Sequence, residues 1–302
     1  MKKVAAVVVT YNRKALLLEN IESLLNQTFS NLLDIIVVDN ASTDGTKEAL
    51  EKYINNNEII YKNTGANLGG AGGFSFGVRT AVEADYDYLW LMDDDTIPQE
   101  DALEVLLKAK NQLKENFGYL SGNVLWKDGT PCLMNNQKHF NKVVDIVSST
   151  NEFVPVTQST FVSLFMPSKI VKKVGLPIKE FFIWGDDVEY TRRISIIHKL
   201  PCYCVKNSIV KHLMNENTGS NIAIDVPERI DRYRYAYRNE FYTYRQVGIS
   251  GLLYYFAKCG FNLLRIFYKG NGYKFRRCKV LINAMLEGSS FNPDIEYIGN
   301  CR

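Results

Sequence analysis

From residue 4 to about residue 117, strand-like and helix-like segments alternate, and no other feature limits the fold as much. "VAAVVVT" (Val4 to Thr10) is an unbroken apolar, β-branched run, the pattern of a strand buried on both faces. "LLLENIESLLNQ" follows with apolar residues at helical spacing, and "DIIVVD" (Asp34 to Asp39) is a second buried strand. "ASTDGTKEALEKYI" reads as a turn and a helix, "EIIYK" as a short strand and "GFSFGVRTAVEA" as a helix. "YDYLWLM" is a further strand, and "QEDALEVLLKAKNQLKEN" a long helix. Alternation of this kind implies an α/β fold, Rossmann-like, with a mostly parallel sheet, right-handed crossovers and helices on both faces. Ligands of open α/β sheets bind beyond the carboxyl ends of the strands. The segments to read are therefore Thr10 to Arg13, Asp39-Asn40, Asn63 to Gly73 and Asp93 to Asp95.

From about residue 118 the pattern changes to short strands and turns, among them "GYLSGNVLW", "STFVSLFMP" and "CYCVKNSIVKHL", with a helix starting near Asp187. After Pro227 the chain is rich in Tyr, Phe and Arg at helical spacing. The expected organisation is a catalytic domain over 1–226, with halves at 1–117 and 118–226, followed by a helical region over 227–302. The net charge of +3 hides an asymmetry: residues 227–302 carry 13 Lys and Arg against 6 Asp and Glu, the other 226 residues 23 against 27. A basic, aromatic tail on an acidic body suits an anionic membrane surface. Lys258 and Arg265 interrupt its apolar run, so a bilayer span is not expected. The alternative is a helical subdomain packed on the catalytic domain with a solvated basic face. No RNA-binding motif accompanies the Arg and Tyr clusters, and nucleic acid is not an expected partner. The start, "MKKVAAVVVTYNRK", has too short an apolar run for a signal peptide and no small-residue cleavage site, so a cytoplasmic protein is expected, peripheral at the inner face of the membrane if the tail binds lipid. The six cysteines, Cys132, Cys202, Cys204, Cys259, Cys278 and Cys301, lack CxxC pairs and read as reduced thiols.

"DYLWLMDDDTIP" ends an apolar strand in three adjacent carboxylates, Asp93, Asp94 and Asp95. They repel one another and are costly to bury unpaired. A hard divalent cation offsets that repulsion and leaves coordination positions for a diphosphate. A helix cap needs only one Asp, and Thr96-Ile97-Pro98 still precede the helix. "TYNRK" after the first strand lacks the glycines of a dinucleotide fingerprint, which argues against a dehydrogenase, and of a nucleotidyltransferase loop.

Four blocks in order, "VVVTYNR", "IIVVDNASTDGT", "NTGANLGGAGGFSFG" and "LWLMDDDTIP", resemble the inverting nucleotide-sugar glycosyltransferases of family 2, which have the GT-A fold. The resemblance covers roughly residues 1–215. With "FFIWGDDVEY" it looks most like the galactofuranosyltransferase branch, with rhamnosyltransferases close by. It implies that Thr10, Tyr11 and Arg13 line the nucleotide pocket and that Asp39 accepts a hydrogen bond from the pyrimidine ring. Asn67 and the Gly69–Gly73 loop, Gly70 included, would let backbone approach the nucleotide and diphosphate. Asp93 would touch the ribose and the metal, Asp94 would join the donor site, and Asp95 would ligate Mn²⁺ or Mg²⁺, with His212 completing the set. In "IWGDDVEY", Asp187 matches the family's base, while Asp186 and Trp184 would bind and orient the acceptor sugar. The competing reading of that segment is a helix start with Asp186 as its cap. His139 and His198 read as structural. The expected activity is metal-dependent transfer of a sugar, foremost galactofuranose from UDP-galactofuranose, to a glycan or lipid-linked acceptor of a cell-surface polysaccharide. dTDP-rhamnose is the alternative donor, and a noncatalytic sugar- or lipid-binding protein is the alternative of another class.

Overall fold

The computed structural model describes residues 3–299, so Cys301 lies outside the described residues. The first half forms β1 (Val4–Thr10), α1 (Lys14–Leu25), β2 (Leu33–Asp39), α2 (Thr46–Asn55), β3 (Ile60–Asn63), α3 (Gly69–Glu83), β4 (Tyr88–Asp93), β5 (Thr96–Pro98) and α4 (Ala102–Gln112). Then come β6 (Leu120–Trp126), a hairpin of β7 (Lys138–His139) and β8 (Lys142–Val143), β9 (Phe153–Pro155), β10 (Leu164–Pro167), α5 (Ser168–Val174), α6 (Asp186–Arg192) and β11 (Tyr203–His212). Three helices close the chain: α7 (Tyr233–Arg245), α8 (Ile249–Lys269) and α9 (Lys274–Ser290).

Nine strands make one sheet in the order β3-β2-β1-β4-β10-β6-β11-β5, with β9 also on β11. β3, β2, β1 and β4 are parallel, as helical crossovers require. Past β4 the sheet is mixed: β10 runs antiparallel to β4 and β6, and β5 and β9 run antiparallel to β11. All seven residues of β1 are buried. Val4, Ala6 and Val8 pack with Leu17 and Ile21 of α1, and Ala5, Val7 and Val9 with Phe74 and Val78 of α3. Helices on both faces explain why the run shows no polar alternation. The register sets Thr10 beside Asp39 and Val9 beside Asp93, so three strand ends share one edge.

One expectation is corrected. Gly69 to Gly73 are not a loop but the first turns of α3. Their small size serves packing: a Cβ on Gly73 would lie 2.5 Å from Val9 Cγ1, and one on Gly77 2.4 Å from Val7 Cγ1. A Cβ on Gly69, whose φ is +72°, would strike the Phe182 carbonyl oxygen at 2.1 Å. Gly70 alone among the first turns faces open space.

α7, α8 and α9 bury their own core around Tyr237, Phe241, Tyr255, Cys259 and Leu281. The segment after α9 then returns to α3 and the turn after α5, where Glu296 pairs with Arg79 at 2.6 Å and with Lys179. The outer face of α8 is apolar rather than basic. Ile249, Leu253, Phe261, Leu264, Phe267 and Tyr268 are exposed, while Lys258 turns toward Glu240. No helix among the described residues is long and apolar enough to cross a membrane. Cys132, Cys202, Cys204, Cys259 and Cys278 are unpaired.

Candidate active site

The three aspartates leave β4 at the shared edge. Thr10 donates its hydroxyl to Asp94 Oδ2 at 2.7 Å, and Arg13 Nη1 donates to Asp95 Oδ2 at 2.6 Å and Asp94 Oδ1 at 3.3 Å. Asp94 and Thr10 are buried, and their polar atoms bind each other. Arg13, half-exposed, lies across the carboxylates. β5 then pairs with β11, setting Thr96 opposite His212 while Leu213 N–H donates to the Asp95 carbonyl. This brings His212 Nε2 to 2.9 Å from Asp95 Oδ1. His212 Nδ1 faces Asn135 Oδ1 at 2.7 Å. Both ring nitrogens meet oxygen acceptors, which favours a doubly protonated ring.

The electrostatics follow from three acids sharing two cations. Burial and the charge of Asp95 push Asp93 up to about 7, against the pull of His212 and Arg13. Burial pushes Asp94 up to about 6, with Arg13 opposing. Burial acts on Asp95 too, but the His212 hydrogen bond and the charges of His212 and Arg13 outweigh it and hold this acid below its usual range. His212 rises to about 10: burial lowers it, and the hydrogen bond it donates to Asp95, with the other interactions there, more than compensates. The cluster is thus short of positive charge. One ligand atom each from Asp93, Asp95 and His212 lie within 4.8 Å of one another. Two carboxylates and an imidazole fit Mn²⁺ or Mg²⁺, and ligation at Nε2 would release the His212 proton.

Along the same edge, Asp39 is buried and accepts from Tyr61 Oη at 2.6 Å and from Ser42 N–H at 2.8 Å, leaving lone pairs on both oxygens. Tyr11 is exposed. Asn67 is exposed and accepts from Gly69 N–H at 2.9 Å.

The second acidic pair opens α6. Gly185, with φ +88°, precedes the helix, so Asp186 is its first residue rather than its cap, which corrects the capping alternative. Asp187 Oδ1 accepts from Val188 N–H at 2.7 Å. Phe182 and Trp184 both have positive φ, an unfavourable conformation for large side chains. Asn239 of α7 holds them there: its Nδ2 donates to the carbonyls of Phe181 at 3.0 Å, Ile183 at 3.3 Å and Trp184 at 2.7 Å. Arg238 Nη2 adds a bond to the Glu180 carbonyl at 2.8 Å. The Trp184 ring meets the edge of Tyr233 at 5.0 Å, with the Arg229 guanidinium 5.4 Å away. Burial, then the charge of Asp187, drives Asp186 well above the carboxylate range, with a further push from Asp93. Burial lifts Asp187 to about 6, opposed by its backbone hydrogen bonds and by Lys138.

Asn135, Asn239, Tyr61 and Lys138 escaped the sequence reading. Asn239 carries a usable signal, a lone buried amide in an aromatic helix. Asn135 sits in a short turn with no periodicity around it.

Residues 5–127 match Glycosyl transferase family 2. Galactofuranosyltransferase GlfT1 of Mycolicibacterium smegmatis is 26% identical over 273 residues, which cover 83% of this chain and 85% of that one. Among solved structures, the mannosyltransferase PcManGT from Pyrobaculum calidifontis, in complex with GDP-Man and Mn²⁺, aligns with a TM-score of 0.58 at 14% identity, over 96% of this chain and 76% of that one. S. aureus TarS aligns with a TM-score of 0.54 at 15% identity over 96% of this chain, which spans only 44% of TarS. At these identities the structural likeness concerns the GT-A fold.

Proposed function

We propose, from the premise that this chain is a glycosyltransferase carrying a family 2 domain, that it transfers galactofuranose from UDP-galactofuranose, with inversion, to a glycan or lipid-linked acceptor. The observation that supports the reading is that one ligand atom each from Asp93, Asp95 and His212 lie within 4.8 Å of one another at the end of the parallel strands. The likeness to GlfT1 supports the choice of sugar. Asp93, Asp95 and His212 would hold Mn²⁺ or Mg²⁺, which when bound neutralises charge on the departing diphosphate. Asp39 accepts from the pyrimidine ring through a free lone pair, and Tyr11, Asn67 and Gly70 border the nucleotide. Arg13, beside the carboxylates, lines the nucleotide pocket. The acceptor hydroxyl oxygen bonds to the anomeric carbon from the face opposite the diphosphate, whose C–O bond breaks with its electron pair. Asp187 takes the hydroxyl proton, as a carboxylate of pKa about 6 can near neutral pH. Asp186 and Trp184 bind and orient the acceptor sugar. The region 227–302 docks the enzyme on an anionic membrane at the cytoplasmic face.

Thermal shift with UDP, dTDP and GDP, each with and without Mn²⁺, tests the reading, because ligands of the folded state raise the melting temperature by mass action. UDP should stabilise the protein only with Mn²⁺, and Asp95→Ala should abolish the effect. A larger shift with dTDP would make the donor dTDP-rhamnose. No shift in well-folded protein would leave the acidic cluster without a donor role.

A further inference from the structure

A group of cations gathers near the end of α6, the helix that opens with Asp186 and Asp187. Arg192, five residues further along α6, is buried, and among the described residues no carboxylate pairs with it. Its guanidinium lies over the Tyr244 ring at 5.0 Å, Nη1 makes a long 3.4 Å contact to Asn141 Oδ1, and Nε has no partner. On α8, Lys258 Nζ donates to Glu240 Oε1 at 2.5 Å, and Glu240 Oε2 is also without a partner. Glu240 and Tyr244 stand one turn apart on α7, so Lys258 and Arg192 converge on one face of that helix. Asn141 lies in the turn of the β7–β8 hairpin, which carries Lys138 to the same place. The Lys138 ammonium has no ion pair among the described residues, and its charged neighbours are Lys258, Glu240, Arg192 and Asp187.

Lys258 thus pairs with Glu240, Arg192 lies over Tyr244 one turn away on the same helix, and Lys138 has both Glu240 and Asp187 among its charged neighbours. Burial holds both Lys138 and Arg192 below their usual values, and for Lys138 the charge of Lys258 adds to the effect. A buried cation without a counter-charge, such as Arg192, is costly, and among the described residues the three cations have only Glu240 and Asp187 as acidic neighbours, so the group accommodates a further anion. Lys258 has Tyr254 four residues before it and Phe261 three residues after it on α8, both exposed, so apolar surface adjoins the cations. A guanidinium fork with two ammonium groups suits phosphate oxygens.

We propose that Lys138, Arg192 and Lys258 form an anion subsite for the phosphate or diphosphate of an amphiphilic acceptor, which sets the acceptor hydroxyl at Asp187. This rests on the glycosyltransferase reading only for its purpose, not for its ligand chemistry. The acceptor's phosphate bridges the cations and its apolar chain follows Tyr254 and Phe261. The acceptor is then recognised by its charge as well as by its sugar.

Calorimetric titration of the full-length protein in EDTA, where the donor edge lacks metal, tests the subsite with inorganic pyrophosphate, farnesyl diphosphate and farnesol as probes. Both diphosphates should bind, farnesyl diphosphate more tightly, and farnesol should not. Lys138→Gln and Lys258→Gln, at partly exposed positions, should each weaken diphosphate binding about tenfold, as the loss of one charge-assisted hydrogen bond does. Each variant should still bind UDP with Mn²⁺, which reports both folding and the donor site. Diphosphate binding that is absent or equal in all variants, with UDP binding intact, overturns the subsite and leaves the proposed function standing. Loss of UDP binding in wild type with diphosphate binding retained does the reverse. If the variants lose affinity only for phosphatidylglycerol vesicles and not for soluble diphosphates, the cations serve bilayer headgroups and the acceptor assignment fails.

Discussion

Asp187 is a carboxyl whose environment suits proton abstraction, because burial lifts it to about 6 while Lys138 keeps it from rising further. Asp187→Asn should lower kcat by a factor on the order of 10²–10⁴, the usual worth of a general base, and leave UDP affinity nearly unchanged. In wild type, log(kcat/KM) should rise with pH and level off above about 6, since only the ionised carboxyl accepts the proton. The same shift acts oppositely on stability. An acid raised in the folded state stabilises it fully below the unfolded value near 3.9, and that contribution is lost as pH rises through about 6. A pH–rate profile without a break near 6 would remove Asp187 from the role of base.

α3 and α8 show how one element can serve packing and function on different faces. Gly73 lets α3 approach β1, and a methyl there would meet Val9 Cγ1 at 2.5 Å and Asn40 Nδ2 at 2.9 Å. Gly73→Ala should cost about 1–3 kcal/mol in urea unfolding, as overpacking does. Gly70→Ala meets nothing within 4 Å and should be neutral or stabilising by about 0.5–1 kcal/mol. If it also weakens UDP binding, Gly70 borders the donor. α8 leaves Ile249, Leu253, Leu264 and Phe267 exposed, followed by the exposed Lys269, Lys274 and Lys279. That combination matches an interfacial helix on anionic lipid. The protein should co-sediment with phosphatidylglycerol-containing vesicles, less so at high salt. Leu253→Asp together with Leu264→Asp should release it without unfolding, as both side chains are already in solvent. Undiminished sedimentation would clear this face of membrane contact.

Across the whole molecule, the segment proposed to meet the acceptor is held by the C-terminal helix α7. Asn239 holds three carbonyls of the Phe181–Trp184 segment, and Gly69 of α3 closes on the Phe182 carbonyl from the other side. The segment thus keeps Phe182 and Trp184 at positive φ because both halves of the protein grip it. Asn239→Ala leaves those carbonyls without their donor. It should reduce kcat strongly while UDP binding, proposed for the β1–β2–β4 edge, stays close to wild type. Equal losses of kcat and UDP affinity would mean that the two halves do not separate in this way.

The parallel half of the sheet was legible because a strand buried on both faces must be apolar throughout, as β1 is. The acidic strand end was legible because three adjacent aspartates after such a strand have few structural uses. The helical character of the tail was also readable from its periodicity, but the outward face of α8 was not. Composition cannot tell which side of a helix its partners cover, and here Lys258 turned toward Glu240 while the phenylalanines stayed in solvent. The glycines after Leu68 read as a loop because a sequence does not reveal how closely two elements approach, and contact with β1 is what makes them helical and necessary. Asn135 beneath His212, and Asn239 beneath Trp184, depend on contacts 77 and 55 residues apart. Local pattern carries burial and periodicity, whereas partners that far along the chain meet only when the tertiary fold closes.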